Sequence, residues 1–103
     1  MSRALAEEPD LRYIYMANLS VPACVDAVRQ AGREGRVHIL AHDTSEEIRE
    51  YLRTGRVDFT IGQDLSFQPW KALSLLFDLT LNHKAPEQDS FTPPSPILSA
   101  ENC

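Results

Sequence analysis

Three polar side chains stand just past the ends of three short apolar runs. RYIYMA (12–17) leads to Asn18, RVHILA (36–41) to His42-Asp43, and VDFTIG (57–62) to Gln63-Asp64. Asn and Gln each donate and accept hydrogen bonds, and Asp accepts at two oxygens. Asn18, Asp43 and Gln63 together suit a neutral polyhydroxyl ligand, in which one carboxylate can grip two adjacent hydroxyls. They suit a phosphate poorly, because Asp43 would repel it. The competing reading makes each residue local punctuation: Asn18 a turn residue, Asp43 a support for the next helix cap, Gln63 a solvated side chain. Recurrence at three equivalent places favours the ligand reading.

Other chemistry finds less support. His42-Asp43 has the residue types of a base and its orienter, but adjacent residues at a strand end point in different directions. No GxSxG is present, and Cys24 has no histidine nearby in sequence. His42 is therefore expected to be solvated or to pack. His38 is expected to face a crossover helix, and His83 to lie on the surface. The three histidines lack metal-ligand spacing, and neither GxGxxG nor a P-loop occurs. No cofactor is expected. Phe67 and Trp70 could stack on a sugar face, although Trp70 is expected in the core. Cys24 is expected to be a buried thiol and Cys103 a terminal one, without a disulfide or metal between them.

Composition narrows the classes. At 103 residues the chain is one domain at most, or a piece of one. The net charge of −5 argues against nucleic-acid contact by this chain, which would need a basic stripe, and against an anionic membrane surface. No apolar run approaches the roughly 18–20 residues of a spanning helix. The start, MSRALAEEPD, has no apolar core of a signal peptide.

The elements that must position the polar residues alternate. Residues 2–8 suit a short helix ended by Pro9-Asp10. Residues 12–17 read as a strand, and their continuous apolarity suits cover on both faces. Residues 20–32 read as a helix, with Ser20 as N-cap, Pro22 in the first turn, a stripe of Val21, Cys24, Val25 and Val28, and Gly32 as the stop. A second strand spans 37–41. Thr44 and Glu47 form a capping box for a helix whose buried stripe is Ile48, Tyr51 and Leu52, stopped by Gly55. A third strand spans 57–61. The last helix, 66–82, is apolar around most of its circumference and wants cover on more than one side. Four of the seven prolines (Pro86, Pro93, Pro94, Pro96) fall in 85–103, which is expected to be extended, with Ile97-Leu98 as one short straight piece. Strand–helix alternation predicts an α/β fold with three layers and a parallel sheet in βαβαβα order. Asn18, Asp43 and Gln63 then share its carboxyl edge, where open α/β sheets bind ligands.

At these residues a family resemblance enters. From about residue 10 to 102 the chain resembles the last third of the sugar-binding domain of LacI/GalR-type transcriptional regulators, a type I periplasmic-binding-protein-like fold. The resemblance rests on YIYMANLSVPACVDAVRQAG, VHILAHDTSEEIREYLRTG, VDFTIGQDLSFQPWKALSLLFDL and PILSAEN, in that order. It implies that Asn18, Asp43 and Gln63 hydrogen-bond sugar hydroxyls. It also implies a homodimer interface on the two crossover helices, with Ala23, Glu47, Glu50 and Tyr51 as candidates. Residues 10–64 would form the core of the second lobe, 65–84 a helix packed on the first lobe, and 85–103 an extended tail. The chain departs from the family in having Asn18-Leu19 where many members have Asn-Asp, and in lacking the DNA-binding head and the first lobe.

The expectation is therefore a partial effector domain, residues 1–103, of a cytoplasmic, dimeric, sugar-responsive regulator. It would be a binding protein, not an enzyme, touching DNA only through a head outside this chain and having no membrane partner. The nearest alternative is a lobe of a periplasmic sugar-binding protein of an ABC uptake system. Readings from other classes are a small α/β enzyme using His42 and Asp43, and a purely structural interaction domain.

Overall fold

A computed structural model describes residues 1–18 and 20–103; Leu19, and with it the departure at Asn18-Leu19, lies outside the described residues. The chain divides into two compact units. The first comprises Met1–Gly62 and Pro96–Cys103, and the second Gln63–Ser95. The segment expected as one tail, 85–103, is thus split, and its last part belongs with the sheet.

The first unit holds α1 (Ser2–Glu7), β1 (Tyr13–Tyr15), α2 (Val21–Gln30), β2 (His38–His42), α3 (Glu46–Arg53), β3 (Phe59–Ile61) and, after the excursion through the second unit, β4 (Ile97–Leu98). The strand order is β1-β2-β3-β4. The first three strands are parallel, with Tyr15 opposite Leu40 and His42 opposite Ile61. β4 runs antiparallel to β3, pairing Leu98 with Thr60 and Ile97 with Ile61. The expected α/β class therefore holds, and the sheet is parallel except at this edge. Ile97-Leu98, expected as an extended piece, is that edge strand.

Consecutive strand order has a consequence for layering. Two right-handed crossovers running in one direction along a sheet put both helices on the same face. The buried set agrees: Ile14, Ile39 and Ala41 from the strands meet Val21, Cys24, Val25 and Val28 of α2 and Ile48 and Leu52 of α3. Alternate strand residues point away and stay open, with Tyr13 68%, Tyr15 54% and Phe59 48% exposed. The strands are therefore covered on one face within this unit, not on both. Of the three expected layers the unit carries two. His38 lies on the open face, stacked on Tyr13 with ring centroids 5.3 Å apart, and does not face a crossover helix. The reason is parity: Ile39 and Ala41 take the helix side, so His38, Leu40 and His42 take the other.

Helix ends follow the expected stops with one change at a start. Gly32 and Gly55 adopt the left-handed conformation just beyond α2 and α3, with φ of 67° and 77°. α3 is capped by Ser45, whose hydroxyl accepts from the Ile48 amide at 3.3 Å, and not by Thr44. Just ahead of this cap, Asp43 Oδ1 accepts from the Thr44 amide at 2.7 Å. Of the expected buried stripe, Ile48 and Leu52 are buried and Tyr51 is half-buried. At the start of α2, Ser20 stands at the cap position but makes no side-chain cap bond. Cys24 is buried at 1% exposure, and burial pushes its thiol pKa up.

Arg33 ties the amino-terminal part together. Its guanidinium donates to the carbonyls of Leu5 (2.8 Å), Glu8 (3.3 Å), Pro9 (2.9 Å) and Leu11 (2.8 Å). It thus satisfies the end of α1 and the lead-in to β1 with one side chain placed just past α2. At the other end Arg49 donates to the carbonyls of Cys103 (2.8 Å) and Thr44 (3.3 Å), holding the final residues against α3.

In the second unit, α4 (Phe67–Leu81) has no buried residue. Trp70, Leu73, Leu76, Phe77, Leu79 and Leu81 are all at least half exposed. Trp70 is therefore not a core residue within this chain: its own unit contributes no second layer to cover it. Asp64 starts the helix by accepting from the amides of Ser66 (3.1 Å) and Phe67 (2.8 Å).

The Arg33 arrangement generates a test. Arg33→Ala leaves four carbonyls without their shared donor. It is expected to lower unfolding stability by about 2–3 kcal/mol, read as a reduced urea midpoint at unchanged slope. Arg29→Ala, which removes only an exposed ion pair, is expected to change it by less than about 0.5 kcal/mol.

Candidate functional site

The carboxyl edge of the sheet is built strand by strand. β1 ends at Tyr15, and its pairing runs one residue further through the Met16 amide to the Leu40 carbonyl at 2.8 Å. Asn18 then turns the chain: its side-chain oxygen accepts from the Ser20 amide at 3.0 Å. The punctuation role is thus real for Asn18, and it leaves the exposed amide nitrogen of that side chain directed by a fixed oxygen.

Asp43 follows β2 with φ of 107°, a backbone conformation that side-chain-bearing residues rarely hold. Three bonds hold it there. The Asp43 amide donates to the Ile61 carbonyl at 2.8 Å, the Thr60 hydroxyl donates to the Asp43 carbonyl at 2.6 Å, and the Thr44 amide donates to Oδ1 at 2.7 Å. Thr60 is completely buried and is the one buried polar residue among the described residues. Its placement has no function for the core alone, since a valine would fill the same space. It fixes the main chain of Asp43 from below.

β3 ends at Ile61, and Gly62 follows with its amide donating to the Pro96 carbonyl at 2.7 Å. A Cβ on Gly62 would lie 3.0 Å from Pro96 Cγ and 3.2 Å from Thr44 Cγ2, so a larger residue here would push on the return strand and on the approach to α3. Gln63 is exposed and is the first residue of the second unit. Asn18 and Asp43 thus share one edge of the first unit on neighbouring strands, and Gln63 is one peptide beyond the third strand's exit.

His42 and Asp43 do not form a pair. His42 Nδ1 lies 3.1 Å from the hydroxyl of Tyr15, its diagonal neighbour across β1 and β2. The Asp43 carboxylate is engaged on its own backbone. A base–orienter dyad is therefore not assembled, and the expected packing role of His42 takes the form of this bond to Tyr15. Ala23, Glu47 and Glu50 are exposed on α2 and α3, and Tyr51 donates to Glu47 Oε1 at 3.4 Å. Burial and the Glu47 carboxylate both hold the Tyr51 hydroxyl above its ordinary pKa. Among the described residues no group of acidic, histidine or cysteine side chains is placed to hold a metal. Nor, among the described residues, is any helix long and apolar enough to cross a membrane.

Sequence reasoning missed Thr60, Tyr15 and Arg33. A lone threonine at a core-facing strand position was the available signal for the first. The Tyr15–His42 bond needed the strand register. Arg33 resembled any surface arginine.

No family model matches the chain. A D-ribose/D-allose-binding protein from Pseudomonas aeruginosa is 36% identical over 88 residues, covering 81% of this chain and 28% of that protein. A solved glucose-galactose binding protein from Geobacillus stearothermophilus aligns with a TM-score of 0.88 at 20% identity, over 97% of this chain and 35% of that one. A protein assigned as a LacI transcriptional regulator from Bacteroides fragilis aligns with a TM-score of 0.81 at 23% identity, over 97% and 34%.

The fold is type I periplasmic-binding-protein-like. It is shared by sugar-binding proteins of uptake systems and by LacI-type regulators. The chain spans 28% of the curated relative's length, and about a third of each of the two aligned structures.

The conformation of Asp43 generates a prediction. Both Asp43→Gly and Asp43→Ala delete the carboxylate, but only glycine accepts φ of 107° without strain. Asp43→Gly is expected to be more stable than Asp43→Ala by about 1–2 kcal/mol in urea unfolding. Equal stability would mean that the backbone there is not held in this conformation.

Proposed function

We propose that this chain is part of a sugar-binding protein, in which Asn18, Asp43 and Gln63 hydrogen-bond the hydroxyls of a small neutral sugar. The observation that carries the proposal is Asp43: a non-glycine residue held at positive φ, clasped by a buried threonine, at the strand edge where open α/β sheets take ligands. Strain maintained by dedicated contacts suits a residue whose side chain is needed in one place. The donor and acceptor set fits hydroxyls, and it contains no base–nucleophile pair, so the role proposed is binding and not catalysis.

The sugar-uptake reading, a lobe of an ABC system's binding protein, is favoured by the 36% identity to a D-ribose/D-allose-binding protein. The regulator reading is favoured by the ending PILSAEN, whose Ile97-Leu98 forms β4. Under that reading the protein is cytoplasmic, the exposed faces of α2 and α3 with Ala23, Glu47, Glu50 and Tyr51 form a homodimer, and sugar binding shifts the dimer between geometries of different operator affinity. Under either reading α4, apolar around most of its circumference, packs on the part of the protein outside this chain.

The test uses the intact protein. Calorimetric titration with D-ribose, D-allose, D-glucose and D-galactose is expected to give saturable binding of at least one. Asp43→Ala is expected to weaken it by about 1.5–3 kcal/mol, roughly 10- to 150-fold. If no sugar binds, or the variant binds as tightly as wild type, the assignment fails. Sugar-dependent binding of operator DNA by the same protein would select the regulator; its absence with sugar binding intact would select the uptake protein.

A further inference from the structure

The carboxyl edge of the sheet has a hydrogen-bond polarity that its residue types alone leave open. An asparagine side chain both donates and accepts, and a carboxylate accepts at two oxygens. The local structure takes away part of each. The Ser20 amide can donate only to an oxygen, and it lies 3.0 Å from Asn18 Oδ1. That oxygen is committed to the chain's own turn, so the other arm of the planar amide, Nδ2, is what Asn18 offers outward. In Asp43 the Thr44 amide donates to Oδ1 at 2.7 Å. The main chain of Asp43 is clamped by the Thr60 hydroxyl at its carbonyl and by the Ile61 carbonyl at its amide. The starting point and the rotation of the carboxylate are therefore both set, and Oδ2 is its outward acceptor. Neighbouring strand exits thus present opposite roles, a donor after β1 and an anionic acceptor after β2.

We infer that this edge reads the direction of each sugar hydroxyl: one hydroxyl oxygen accepts from Asn18 Nδ2, and one hydroxyl proton is donated to Asp43 Oδ2. These roles rest on the sugar reading of the same edge and add to it which atom of each side chain makes the bond. A carboxylate with both oxygens open can grip two adjacent hydroxyls. With Oδ1 held by the Thr44 amide, that double grip gives way to a single one at Oδ2. The ligand class is then a sugar with an unsubstituted hydroxyl over Asp43. An ether, carbonyl or fluorine at that place brings lone pairs and no proton to a carboxylate oxygen and is repelled. A carboxylate or phosphate ester there adds charge repulsion to the missing proton.

The experiment uses the intact protein and whichever of D-ribose, D-allose, D-glucose and D-galactose it binds. Calorimetry compares that sugar with its monodeoxy and monodeoxyfluoro derivatives, position by position. Fluorine keeps lone pairs and removes the proton, whereas hydrogen removes both. In the wild type one ring position is expected at which the fluoro derivative binds at least about 10-fold more weakly than the parent sugar and no more tightly than the deoxy one. That position marks the hydroxyl that donates to Asp43. Asp43→Asn keeps an oxygen for the Thr44 amide, tolerates positive φ, and turns the outward acceptor into a donor. In this variant the order at the marked position is expected to reverse, with the fluoro derivative about 3-fold tighter than the deoxy one. Asn18→Asp makes the opposite exchange and is expected to create a second position at which fluorine is no better than hydrogen. A folding defect lowers affinity for all derivatives together and cannot reverse their order. If none of the four sugars binds, the sugar reading fails and the assigned roles fail with it. If a sugar binds, but no wild-type position shows the loss or its order is unchanged in Asp43→Asn, the assigned roles fail and the sugar reading stands.

Discussion

A single buried hydroxyl sets the geometry of the carboxyl edge. Thr60 donates to the carbonyl of Asp43, and the Asp43 amide donates back to Ile61, so the exit of β2 is clamped to the last residues of β3. A buried polar group costs stability unless it is paired. Here the pairing holds a second residue in a conformation it would otherwise leave. The cost of positive φ at Asp43, on the order of 1–3 kcal/mol, is offset by contacts made only if the turn keeps its shape. Those contacts fix where the main chain delivers the carboxylate, and the Thr44 amide fixes how it is rotated. The clamp leads directly into α3, whose cap is the next residue but one, Ser45.

The one-sided sheet explains much of the remaining surface. With both crossovers on one face, the core is a layer of valines, isoleucines and leucines between the sheet and α2 and α3. The other face keeps Tyr13, Tyr15, His38, His42 and Phe59, residues with an apolar body and, in four of the five, a polar tip. They satisfy one another laterally, Tyr13 by stacking on His38 and Tyr15 by bonding His42. An aromatic face of this kind tolerates both water and a packed neighbour.

The sequence was most legible where the signal was local. Apolar runs, the Val21–Val28 stripe and the glycines at 32 and 55 placed the strands and helices to within a residue or two, because periodicity and left-handed stops act over a few positions. The strand-exit positions of Asn18, Asp43 and Gln63 followed from the same punctuation. What failed was whatever depended on partners distant in sequence. Apolar continuity in 12–17 suggested cover on both faces; within the first unit α2 and α3 supply one cover, and which face they take depends on strand order, which no single strand encodes. Trp70 read as core because tryptophan usually is, yet within this chain nothing is available to bury it. His38 was assigned to the wrong face for want of the register, and Arg33's four carbonyls are spread over residues 5 to 11, beyond the reach of any pattern.

The position of Gln63 links the fold to the proposed mechanism. The first unit is left after Gly62 and rejoined at Pro96, and these two residues, just past β3 and just before β4, are joined by the Gly62 amide donating to the Pro96 carbonyl. Both chain crossings therefore lie in one small region, where a side chain on Gly62 would crowd Pro96 and Thr44. Asn18 and Asp43 are fixed to the sheet, whereas Gln63 is the first residue on the far side of the passage. Under the proposed function, a sugar hydroxyl would meet an Asp43 whose place the β2–β3 clamp has already set, with Gln63 one peptide past Gly62.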